Sequence, residues 1–125
     1  MAGATCIFGC AGAEDSIEHY SCCWRVASFA RRRLGLRAAA AAPHAAQLAE
    51  FLLVGTSAAR RQPVELTLGA LRTAAVYKVH NWWRHAARRT PQMAQEALDQ
   101  AVVDMVAGHA RATRILAEAT RPVRR

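Results

Sequence analysis

From Pro63 to Arg89 the side chains Leu68, Leu71, Ala75, Val79, Trp82 and Ala86 return every three or four residues, the spacing that lines one face of an α-helix. Pro63 suits the first position of that helix, because the N–H it lacks would have no partner there. At 1.5 Å per residue the element spans roughly 40 Å. A second stripe, Ala94, Leu98, Ala101, Val102, Met105, His109, Ala112 and Leu116, predicts a last helix that Thr90 caps and Pro91 opens. A shorter helix is predicted to start at Pro43 in "PHAAQLAEFLLVG" and to end at Gly55. An N-terminal helix is predicted from Asp15, with Glu18 three residues on as in a capping box, to about Arg33, where "LGLR" ends it.

Strand patterns are almost absent, so the expected fold is all-α. A small N-terminal head over residues 1–35 precedes about three helices packed as a small bundle. Residues 36–62 form an Ala/Arg-rich connector with the short helix, 63–120 a two-helix antiparallel segment, and 121–125 a basic tail. Within the connector, "AAAAAP" reads either as low-complexity linker or as a helix extended to Pro43, and "TSAARRQ" reads as a loop.

At 13.6 kDa, with 53% apolar residues but only 6% aromatic ones, the chain has a thin core for its length. A second source of stability would help such a chain fold. Its Lys and Arg total 17 against nine Asp and Glu, a net charge of +8. Nearly all of these cations are arginine, whose guanidinium binds phosphate in bidentate fashion, so the balance suits a polyanionic partner. The opening "MAGATC" has no secretory or transit pattern, and "LAEFLLVG" is far too short to cross a bilayer. The expectation is a soluble intracellular protein of the nucleus or cytoplasm, without a membrane partner.

All four cysteines, Cys6, Cys10, Cys22 and Cys23, lie in "CIFGCAGAEDSIEHYSCC" together with His19. Thiols stay reduced inside cells, where such a cluster means metal more often than disulfides. The spacing C-x3-C-x8-H-x3-C falls within the range of structural zinc sites, with a final Cys in place of His. If a helix starts at Asp15, His19 and Cys23 lie one turn apart and about 40° around the axis, whereas Cys22 is displaced about 60° to the other side. The ligand set is therefore Cys6, Cys10, His19 and Cys23 around one structural Zn2+, with Cys22 in reserve. Four protein ligands leave no open place for water or substrate, so the metal would hold shape. Two other readings are buried structural cysteines and a Cys-His nucleophilic pair, for which no Asn or Asp is spaced to orient the histidine. His44, His80, His85 and His109 show no partner spacing and read as ordinary polar or core-edge residues.

At "CIFGCAGAEDSIEHYSCCW" the chain resembles the zinc-binding domain that follows the polymerase domain in reverse transcriptases of non-LTR retrotransposons. Cys6 and Cys10 match that family's Cys pair, "EDSIEH" its acidic stretch, His19 and Cys23 its second pair, and Trp24 or Phe29 its downstream aromatic. The likeness covers roughly the first 35 residues and extends more weakly to "AAVYKVHNWWRHA". The first pair departs from the family's frequent C-x2-C, and the doubled cysteine leaves the fourth ligand between Cys22 and Cys23. The resemblance implies a C-terminal fragment of a retroelement polyprotein whose zinc finger helps engage template RNA or target DNA. No polymerase accompanies it: the three aspartates, Asp15, Asp99 and Asp104, include no adjacent pair, and a polymerase needs converging carboxylates for its metal ions.

The chain is thus expected to be a non-enzymatic zinc module that binds RNA or DNA. The candidate contacts are Arg31, Arg32, Arg33 and Arg37 in "RRRLGLR", and Trp83, Arg84, Arg88 and Arg89 in "NWWRHAARR", with Arg60 and Arg61 able to join the patch. Favourable charge at helix C-termini explains both clusters without a ligand. Trp82 is expected in the core, and Trp83 either in the core or stacking on a base. The alternatives are a helical protein-interaction module with purely architectural zinc, and a retroelement remnant without a selected role.

Overall fold

The computed structural model describes residues 5–37, 43–53 and 62–122. They form six helices: α1 (Ile17–Cys22), α2 (Trp24–Leu34), α3 (His44–Phe51), α4 (Pro63–His85), α5 (Pro91–Val106) and α6 (Ala110–Ala119). The fold is all-α, as the periodicity predicts. Among the described residues the β structure is one isolated antiparallel bridge, Thr5 to Glu14. None of the described helices is long and apolar enough to cross a membrane.

Local chemistry sets most of the boundaries. Thr90 caps α5 through its side-chain oxygen, which accepts from the Met93 amide at 3.1 Å, and Pro91 follows in the first turn. Pro63 opens α4, and Pro43 stands as the N-cap of α3 rather than as its first residue. α2 ends at Gly35, whose φ of 66° lets the Gly35 and Leu36 amides turn back onto the Ala30 carbonyl. A Cβ at Gly35 would sit 2.2 Å from the Ala119 carbonyl oxygen of α6, so this turn admits only glycine.

Four expectations need correction. The first helix does not start at Asp15 or run unbroken to Arg33. Its N-cap is Ser16, whose Oγ accepts from the His19 amide at 3.2 Å, and extended backbone at Cys23 (φ −64°, ψ 123°) separates α1 from α2. Asp15 is occupied elsewhere, by Tyr20 and His80. The long helix stops at His85 instead of Arg89, because the chain extends from Ala86 toward the Thr90–Pro91 start of α5. The last predicted helix is two helices, divided where Ala107 leaves helical geometry before Gly108, so His109 is an exposed N-cap of α6 and not part of a buried stripe. Trp82 is 36% exposed, while Trp83 packs against the core. Residues 38–42, Gly55, the pair Arg60 and Arg61, and the tail from 123 onward lie outside the described residues.

One hydrophobic cluster runs through the molecule. Phe8 and Tyr20 from the head meet Val26, Phe29 and Leu34 of α2, Ala75 and Val79 of α4, and Ala94, Leu98 and Val102 of α5. Phe8, Leu34 and Leu98 are fully buried, and each such side chain contributes about 1.5–3 kcal/mol. α4 packs chiefly on α5, α2 crosses both, and α1 lies against α3. The residues of the predicted head therefore share their core with the helices that follow Pro63.

Candidate metal centre

The N-terminal segment turns tightly before α1. The Cys6 amide donates to the Ala13 carbonyl at 3.0 Å and the Gly9 amide to the Cys6 carbonyl at 3.2 Å. This turn places Cys6 and Cys10 on the same side, and Gly9 (φ 95°) lies so close to α5 that an added Cβ would meet the Pro91 Cβ at 3.0 Å. The Gln95 side chain donates to the Phe8 carbonyl at 2.9 Å, tying the turn to the same helix.

Cys6, Cys10, His19 and Cys23 converge, with one ligand atom from each lying within 4.8 Å of all the others. The Sγ atoms of Cys10 and Cys23 are 3.5 Å apart and those of Cys6 and Cys23 4.0 Å. These separations far exceed the disulfide bond of about 2.05 Å, and all four thiols of the chain are free. Cys6 and Cys23 are buried, Cys10 and His19 partly so. The Nε2 of His19 is buried with no hydrogen-bond partner in the protein, an arrangement that costs free energy unless something else, such as a cation, accepts its lone pair. A buried group of three sulfurs and one imidazole is a donor set that could hold a metal ion.

The break at Cys23 adds to the electrostatics of the site, which the thiols' mutual hydrogen bonds and burial dominate. No side-chain hydrogen bond caps α2, so no side-chain oxygen takes its first-turn amides. Those of Arg25 and Val26 instead favour the ionised forms of Cys10 and Cys23 respectively. The Cys6 thiol is lowered to about 4 by its hydrogen bond from Cys23, helped by the amides of Cys10 and Phe8 and opposed by burial. Cys23 is pushed up, first by sharing its proton with Cys6 and then by burial, and Cys10 is raised mainly by burial. Three sulfurs in one buried pocket favour a single thiolate until a cation allows the rest to ionise.

Cys22 stays outside the group. Its side chain is exposed and its Sγ lies 3.5 Å from the Glu18 carbonyl oxygen. The candidate arginines are scattered. Arg32 and Arg33 form ion pairs with Asp99 of α5 at 3.2 and 3.1 Å. Arg31, Arg37, Arg84, Arg88 and Arg89 are exposed, and Trp83 is half-buried on the core at the end of α4.

A second polar group beside the head has no counterpart among the sequence expectations. Asp15 accepts from the Tyr20 hydroxyl, and both its oxygens lie 3.0 Å from the His80 Nε2. This links the residue before the α1 cap to the C-terminal third of α4. The Tyr20 hydroxyl is held protonated well above its ordinary range, by burial first and by the Asp15 carboxylate second. Asp15 and His80 stand 65 positions apart, a separation that leaves no local pattern to read.

Compared with protein-family models, curated proteins and solved structures, the chain matches none of them.

Proposed function

We propose that this chain is a non-enzymatic module in which one zinc ion fixes the N-terminal turn, and that its arginine-rich surface binds RNA or DNA. The convergence of Cys6, Cys10, His19 and Cys23 carries the reading. A tetrahedral site with Zn–S bonds of about 2.3 Å has S···S edges of about 3.8 Å, and the observed pairs at 3.5 and 4.0 Å bracket that length. Zinc takes four protein ligands of this kind in closed structural sites. With no coordination position left for substrate, the ion's role is to hold the Cys6–Cys10 turn against the start of α2.

The nucleic-acid part is supported by the net charge of +8 and by where free cations lie. Arg84, Arg88 and Arg89 are exposed at the end of α4 and in the following loop, beside the partly exposed Trp82. That loop leads into Pro91 and Gln95 of α5, both of which lie against the Cys6–Cys10 turn. The metal would thus steady the arginine loop through α5. The resemblance to the zinc-binding domain of non-LTR retrotransposon reverse transcriptases points the same way and suggests a retroelement origin.

The rival reading is a protein-interaction module with architectural zinc. It is favoured by Arg32 and Arg33, which are used inside the fold on Asp99.

Two measurements on the full chain test the proposal. Protein purified without added metal should contain about one zinc per chain; sub-stoichiometric zinc, or another metal in its place, would reject the zinc assignment. Binding to a single-stranded RNA and to duplex DNA should weaken linearly on a plot of log affinity against log salt, with a slope set by the number of phosphates contacted. No binding to either at low salt would leave the interaction module as the better account.

A further inference from the structure

A cavity of about 300 Å³ opens beside the metal group, where α1, α2, α3 and α4 meet. Its volume is at the lower end for pockets that hold small molecules. One part of the wall is apolar: Val26, Ala27 and Ala30 of α2, Leu36 of the following turn and Phe51 of α3. The other part is cationic. Arg37, just after α2, and Arg72 of α4 bring guanidinium groups to the lining, and His44, the first residue of α3, adds an imidazole.

Arg72 is already anchored. It donates to the Glu50 carbonyl at 3.3 Å, and its guanidinium lies 5.2 Å from the Phe51 ring centre. Glu50 brings the one carboxylate of the lining, so two arginines face one acid and the wall remains positive at neutral pH. The backbone just before Arg37 is fixed, with the Leu36 amide on the Ala30 carbonyl at 3.1 Å and Gly35 close against Ala119. Trp24 and the exposed thiol of Cys22 also line the cavity.

We propose that this cavity binds a small amphipathic anion: a compact ring-sized apolar body on the Val26, Ala27 and Phe51 wall, carrying one carboxylate or phosphate group at Arg37 and His44. A neutral apolar guest would leave the Arg37 charge unused. A polar anion without an apolar body would leave the α2 wall in water. The two halves of the lining select a guest that has both properties. The site needs neither the metal's chemistry nor a nucleic acid, so it stands apart from the function proposed above.

Isothermal titration of the metal-loaded full chain with four probes of nearly equal size tests this: 2-naphthoate, 2-naphthyl phosphate, 2-naphthylmethanol and 2-naphthylmethylammonium. At least one anion should bind about tenfold or more tightly than the alcohol, reflecting a charge-assisted contact, and the ammonium should bind more weakly still. The ratio of the two anions tells which headgroup the site takes. Arg37→Gln, an exposed substitution outside the core, should bring the anion down to the affinity of the alcohol, and His44→Gln should do so in part. Ala27→Leu should fill the cavity and weaken anion and alcohol alike. The bound anion should also slow alkylation of Cys22 by iodoacetamide. Equal affinity for all four probes, an unchanged anion preference in Arg37→Gln, or unprotected Cys22 at saturation would each overturn the proposal. Metal content measured on the same samples separates these outcomes from loss of the metal.

Discussion

Cys22 and Cys23 are neighbours in the chain with opposite fates, and a single backbone angle divides them. At ψ 123° Cys23 leaves the helix, which turns its side chain inward beside Cys6 and Cys10, while Cys22 remains the last residue of α1 and faces solvent. Cys23→Ser should therefore reduce bound metal far below one equivalent, because a hydroxyl is a poor replacement for thiolate. Cys22→Ser should keep both stoichiometry and affinity. Metal analysis of the two variants side by side decides the matter, and a larger loss from Cys22→Ser would overturn the ligand set. The four converging residues were legible in the sequence because donor types and spacing are local properties. The reason for choosing Cys23 was not: the one-turn argument assumed a helix running from Asp15 through Cys23, whereas the break at Cys23 is what delivers the sulfur. His80 was illegible altogether, since its partner Asp15 comes from the far end of the sequence.

Helix boundaries follow the same division between local and distant causes. Thr90–Pro91 and Pro63 mark starts through their own side chains, and the sequence could be read there. The ends of α4 and α5 depend on where the next element must begin, and the apolar stripe alone continued past both. Gly35 combines the two kinds of cause: its positive φ is a local demand, and its contact with Ala119 a distant one. Gly35→Ala should destabilise the protein by about 1–3 kcal/mol, the usual cost of a strained left-handed residue, with more added if α6 must shift to relieve the 2.2 Å approach. Chemical denaturation should show this as a lower midpoint with nearly constant slope. A change below about 0.5 kcal/mol, typical of neutral surface substitutions, would mean that α6 does not rest on this turn. The Arg32 and Arg33 pairs with Asp99 contribute less, because exposed ion pairs are each worth about 1 kcal/mol at most. Their role is to orient α2 on α5.

At the scale of the molecule, the metal group and the helices are one packing unit. Phe8, between Cys6 and Cys10, is fully buried in the cluster that also holds Leu98 and Val79, and Val26 and Phe29 of α2 join the same cluster directly after Cys23. A boundary near residue 35 was a reasonable inference from composition, since the last cysteine is Cys23 and the alanine run begins at residue 38. Burial crosses that boundary because α2 lies over both α4 and α5, a long-range pairing that no local pattern encodes. The consequence concerns metal removal. Structural metal binding is worth about 10–16 kcal/mol in small zinc sites, comparable to the whole stability of a domain, about 5–15 kcal/mol. Without the cation the three sulfurs cannot share the pocket as thiolates, so the Cys6–Cys10 turn loosens and Phe8 loses its place against α5. Chelation should therefore weaken the bundle together with the head. Helical circular dichroism and tryptophan fluorescence, which samples Trp24 beside Cys23 and Trp82 and Trp83 near the C-terminal end of α4, should fall in one coincident transition as chelator is added, and both should return with metal. If helicity stayed intact while the fluorescence changed, the head would be an independent unit on a self-sufficient bundle, and the shared core would not couple them.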